Sequence, residues 1–190
     1  MKLIMRIRSW PLFFVALSCA LLAQEQSSTG RIPPTFREPF TLRLRVDKDH
    51  YYEQHFDKVP YVAEDDVYIF LGDHFGVNLR DNKGEFLSVT YQPDSAKADV
   101  QFGLTQEKAG NGMFMMLLTV QSKLDHRLSY EALMTVPQKD GVLKTNMLPI
   151  EPRLASFESW PHPIVQLVLR NFRFSDSPAK QKRYQASDQK

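Results

Sequence analysis

Cysteine is almost absent: the 190 residues contain one, Cys19, and it lies in a segment the chain is expected to lose. A disulfide framework is therefore excluded, and whatever folds must be held by burial. An excess of one charge is also missing, with 24 basic against 22 acidic residues. No basic field of the kind that nucleic acid requires is present, so nucleic-acid binding is not expected. Beyond the leader there is no apolar run of the roughly 20 residues a bilayer demands, so no transmembrane segment is expected in the mature chain. No stretch of about 12 residues carries a clean 3.6-residue apolar stripe, which argues against a helical fold. The chain also lacks G-x-S-x-G, H-E-x-x-H, a phosphate-cradling glycine loop and, once the leader is gone, any cysteine nucleophile.

What is present begins at the N-terminus. Lys2, Arg6 and Arg8 precede an apolar run from Leu12 to Ala23, followed by the polar Gln24-Glu25-Gln26-Ser27-Ser28. This is the layout of a secretory signal peptide, with cleavage expected after Ala23. An alternative is lipid attachment at Cys19, although Leu17 sits one place later in the preceding triplet than lipoprotein signals usually have it. Removal of the leader's three basic residues leaves 21 basic against 22 acidic. The chain is thus expected in the periplasm or outside the cell, and residues 24–190 are enough for one core. The expected organisation is a signal peptide at 1–23, a polar linker with Pro33, Pro34 and Pro39 at 24–39, one β-domain at 40–176 and a basic disordered tail at 177–190.

Within the domain the period is two. Phe40, Leu42, Leu44 and Val46 alternate with polar residues, as do Val100, Phe102 and Leu104, and Leu128, Tyr130, Ala132, Met134 and Val136. Each reads as a half-buried strand. Val67–Leu71, Phe75–Leu79, Leu87–Tyr91, Met113–Val120, Val142–Met147 and Ile164–Phe174 complete the set, with turns at Asp81–Gly84, Gly110–Gly112 and Asp140-Gly141. Asp47–Pro60 reads as a long connection or a short helix. Leu148–Pro163, with four prolines, reads as irregular. In Ile164–Phe174 the apolar parity switches after Leu169, so a bulge is expected near Arg170 or Asn171. Eight or nine strands separated by short turns predict an all-β, antiparallel β-sandwich, immunoglobulin-like in broad architecture.

Three strands are apolar at nearly every position: Val67–Leu71, Met113–Leu118 and Val165–Leu169, the last with only Gln166 polar. In an antiparallel sheet that leaves one apolar set facing out. The expected outward set is Tyr68, Phe70, Phe114, Met116 and Leu118. It must be covered by a connection of the same chain, by a second copy or by a partner protein. Tyr51 and Tyr52, in the first connection, and Trp160, among prolines, are candidate contact aromatics or caps on the core ends.

Signals for chemistry are weaker. Asp49-His50, Asp73-His74 and Asp125-His126 repeat a carboxylate–imidazole pair, but at turns, where aspartate serves the backbone. Met113 and Met115 share a face and, with scattered histidines, raise a copper reading against packing. Glu64-Asp65-Asp66 lacks the spacing of a calcium loop and reads as a solvated turn. No cofactor, metal site or catalytic residue is expected. The sequence thus points to an exported, non-enzymatic sandwich acting as a protein-binding or assembly module. A small envelope ligand- or metal-binding protein and, more distantly, a hydrolase of cell-envelope polymers stand as alternatives.

Overall fold

The computed structural model describes residues 33–110 and 113–175. The expected signal peptide, most of the linker, the tail and the Asn111-Gly112 part of one hairpin lie outside those residues.

The alternating segments form strands because each hides one row of apolar side chains while the other row meets water. In chain order the strands are β1 (Phe40–Arg45), β2 (Tyr51–Phe56), β3 (Val62–Ala63), β4 (Asp66–Ile69), β5 (His74–Arg80), β6 (Ser88–Gln92), β7 (Val100–Lys108), β8 (Phe114–Ser122), β9 (Leu128–Thr135), β10 (Leu143–Thr145), β11 (Ala155–Trp160) and β12 (Gln166–Phe174). The only other regular element among the described residues is a 3₁₀ turn, Ser95–Lys97. Two five-stranded sheets result, in the orders β10-β9-β12-β4-β3 and β11-β8-β7-β5-β6, with β1 and β2 as a separate hairpin. All the pairings are antiparallel. The described residues are all-β, with two layers consistent with a sandwich.

The inner faces meet in one core. Val67, Ile69, Leu128, Ala132, Leu167 and Leu169 of one sheet join Val77, Val100, Phe102, Leu104, Met116, Leu118 and Val120 of the other. Phe102 and Phe172 carry the contact across the layers, with ring centroids 6.4 Å apart. The expected bulge lies in β12: the register with β9 shifts between Arg170 and Arg173, and Asn171 has φ 57°. The extra residue turns Phe172 inward, against Tyr130.

Two segments differ from their sequence reading. Residues 47–60, read as a connection or a helix, contain β2, which pairs with β1 from Phe40↔Phe56 to Arg45↔Tyr51. Its residues are polar because most of them face water, and that hides the strand period. Leu148–Pro163, read as irregular, contains β11, paired with β8 from Ala155↔Gln121 to Trp160↔Met116. Pro152 and Pro161 bound this strand rather than interrupt it, and β11 is an edge, where prolines at the ends cost no ladder bonds.

Residues 35–37, within the stretch read as linker, are tied to the domain. Arg37 N–H donates to Val59 C=O at 2.9 Å, and Tyr61 N–H donates to Thr35 C=O at 3.0 Å. The Arg37 side chain is buried. Its guanidinium donates to Asp73 Oδ1 at 3.3 Å and Oδ2 at 2.5 Å, to Pro60 C=O at 2.5 Å and to Tyr68 C=O at 2.6 Å. It also lies 4.1 Å from the Tyr61 ring centroid, with Phe70 and Phe75 close by.

Candidate contact edge

A sheet end is inert only if its outward N–H and C=O groups are short, bent away or occupied. β3 has two residues and β10 has three. β6 is longer, but Val89 N–H donates to Asp65 Oδ1 at 2.9 Å and Leu87 N–H to Phe172 C=O at 2.7 Å. β11 is different: six residues, paired on one side only among the described residues.

The ladder fixes which of its groups are open. Ser122 N–H donates to Leu154 C=O at 3.0 Å, and the register that begins at Ala155↔Gln121, continued by one residue, sets Leu154 opposite Ser122. Hydrogen-bonded and non-bonded pairs alternate along an antiparallel ladder. Ser156, Glu158 and Trp160 therefore bond to β8, and Ala155, Phe157 and Ser159 aim their N–H and C=O groups away from it. The side chains of these three are exposed, on the outer face of the sheet.

The same margin gathers exposed apolar side chains. Phe157 is 66% exposed, Leu148 73%, Val142 60% and Leu154 57%. Phe157 lies on β11, Leu148 and Leu154 on the link between β10 and β11, and Val142 immediately before β10. Leu148 is held beside β11, its N–H donating to Glu158 Oε1 at 3.4 Å, and Trp160 Nε1–H reaches Thr145 Oγ1 at 3.3 Å. Glu158 shares the inward face with Leu118. Its charge acts on Tyr130, whose phenol is pushed well above its ordinary pKa, first by burial and then by that carboxylate.

The residues expected as an outward apolar set do not form one. Met116, Leu118 and Phe70 are buried, which corrects the facing assumed for them. In β8 the even-numbered residues turn inward, so Met115 and Leu117 are the outward pair. Phe70, just past β4, lies beneath the β1–β2 hairpin, 5.3 Å from Phe40 and 5.0 Å from Phe56 between ring centroids. The strands involved also belong to different sheets, β4 and β12 to one and β8 to the other. Tyr68 is half-buried on the outer face of β4, and Phe114 is half-buried with the Arg45 guanidinium 4.8 Å from its ring centroid. Tyr51 is exposed between Arg43 and Arg45, at 4.2 and 4.7 Å. Tyr52 packs against the core, and Trp160 is buried within it.

In two of the Asp-His repeats the carboxylate holds an arginine, and in the third the imidazole pairs with an aspartate outside the repeat. His50 pairs with Asp47 at 2.8 Å, Asp73 holds Arg37, and Asp125 holds Arg153. Among the described residues no three of His, Cys, Asp and Glu are placed to hold a metal ion, and no helix is long and apolar enough to cross a membrane. Comparison with protein-family models, with curated proteins and with solved structures gave no match in any of the three.

Sequence reasoning missed β11, Phe157 and Arg37. The signal for β11 was a proline-free window of eight residues between Pro152 and Pro161 holding both Phe157 and Trp160. Arg37 offers no local signal, because its acid lies 36 residues away.

Proposed function

We propose that the chain is exported and acts by contact, as a protein-binding or assembly module, with the β11 edge as its working surface. The leader at 1–23 supports export to the periplasm or beyond. One observation carries the contact reading: the open main-chain groups of Ala155, Phe157 and Ser159 coincide with the most exposed aromatic side chain on the described surface. An added strand would take its affinity from that main chain and its specificity from the side chains beside it. An edge left unblocked also carries an aggregation risk, which a binding role offsets. The immunoglobulin-like description belongs to this reading and rests on two packed antiparallel layers, not on strand order.

The test is affinity capture from the native envelope with tagged full-length chain. Wild-type chain is expected to retain a specific partner, and Phe157→Lys to lose it while melting at an unchanged temperature. Equal retention by both chains would remove the β11 edge from the function. Finding the tagged chain wholly in the cytosol with its leader intact would remove export.

A further inference from the structure

We infer that the strand received by β11 is β11 of a second copy, paired antiparallel about a two-fold axis at Phe157. The inference rests on the contact reading above and names its partner. Four features of the edge support a self-match.

The outward groups fall at 155, 157 and 159, symmetric about 157. Pairing Phe157 with its own counterpart, and Ala155 with Ser159, engages all three positions in about six main-chain hydrogen bonds. The ends of the usable window are symmetric as well. Four residues before Phe157 stands Arg153, whose φ of 57° breaks the strand. Four residues after it stands Pro161, which has no N–H to offer. In a self-paired edge these two stops face each other, and neither interrupts a bonded pair.

Charge selects the same register. With Phe157 on the axis, Glu158 faces Ser156 of the other copy. Sliding two residues one way sets Glu158 opposite Glu158, a like-charge pair that opposes association. Sliding two the other way sets Glu158 opposite Leu154 and loses one bonded pair. The central register also places the two Phe157 rings side by side on the outer face and Leu154 opposite Trp160 on the inner, covering Phe157 and Leu154, which are otherwise in water. The β11-β8-β7-β5-β6 sheets of the two copies become one continuous sheet.

The experiment uses the full chain with Cys19→Ser, which leaves no cysteine. Phe157→Cys is added to one sample and Thr41→Cys, exposed on β1, to another. Directly opposed residues in a bonded antiparallel pair lie about 5.5 Å apart at Cα, within disulfide reach. The expected result is a covalent dimer from Phe157→Cys under mild oxidation and none from Thr41→Cys. In parallel, sedimentation of the wild-type chain is expected to give a dimer. Ser159→Pro, which removes an outward N–H and no ladder bond to β8, is expected to weaken that dimer by about tenfold or more, some 1.4 kcal/mol, with an unchanged circular-dichroism spectrum. A wild-type chain monomeric at every concentration, with both cysteine variants cross-linking alike, overturns the second-copy inference. If that monomer still captures an envelope protein through Phe157, the contact reading stands with a different partner; if it captures none, both fall.

Discussion

Arg37 shows how one residue closes a part of the fold. Its charge is taken out of water, but every side of the guanidinium is answered: Asp73 along one edge, the carbonyls of Pro60 and Tyr68 at the ends, and the Tyr61 ring against its face. Removing one member of such a pair leaves the other buried and unpaired. Arg37→Ala is expected to cost about 3 kcal/mol, read as a shift in the urea midpoint. Arg37→Lys should recover only part of this, because an ammonium cannot form the forked bond to Asp73. Gly76 makes a second constraint. A Cβ there would lie 2.2 Å from the Ala98 Cβ, so Gly76→Ala is expected to destabilise by about 1–3 kcal/mol through overpacking, measured the same way. Neither role was legible in the sequence, because each depends on a residue far along the chain. What was legible at this scale was parity. It succeeded at the β12 bulge, where Leu169 and Phe172 could share a face only through an extra residue. It failed at Met116, Leu118 and Phe70, because an unbroken apolar run does not say which of its two rows turns inward.

Among the elements, the β3–β4 turn is built from residues poorly suited to it. Glu64 and Asp65 have φ of 53° and 69°, two successive positive values of the kind hairpin turns favour and side chains resist. Asp65 has a reason to be there, since its Oδ1 accepts from Val89 N–H and closes the β6 edge. Glu64 accepts no hydrogen bond of that kind in the described contacts that define the turn. Glu64→Asn, which tolerates positive φ, is therefore expected to stabilise the chain by about 0.5–1 kcal/mol, seen as a higher melting temperature. The acidic cluster that might have suggested calcium is thus a hairpin turn. On the outer face of the β10-β9-β12-β4 sheet, Glu131 receives hydrogen bonds from Lys144 and Asn171 and faces Arg170. Its carboxyl is held below its ordinary pKa, first by the Lys144 hydrogen bond. A lowered folded-state pKa gives stability that is complete above the unfolded value and is lost as pH falls through the folded one. Asp66 has the opposite sign: burial raises its pKa, so its contribution improves on acidification. Glu131→Gln is expected to flatten the loss of melting temperature between about pH 7 and pH 3, and Asp66→Asn to steepen it. Strand periods in β1, β5, β7 and β9 were readable because each has one wet face. β2 was not, since both of its faces are largely wet, nor was β11, whose prolines dominated its neighbourhood.

At the scale of the molecule, the two sheets present four ends, and three are short or occupied. The fourth, β11, is the longest and carries Phe157 in water. Composition and periodicity reach as far as a cysteine-poor, two-layer β-protein, for which export and action by contact are what we propose. The surface itself emerged only from the ladder, since which amides of β11 are open follows from its register on β8. Residue-resolved amide hydrogen exchange on the purified chain, in dilute and in concentrated solution, tests this most directly. The dilute chain should show alternate protection along β11, with Ser156, Glu158 and Trp160 slow and Ala155, Phe157 and Ser159 fast. At high concentration those last three amides should become slow as well. Uniform exchange along β11, or Phe157 and Ser159 remaining fast at every concentration and in the presence of envelope extract, would contradict the account.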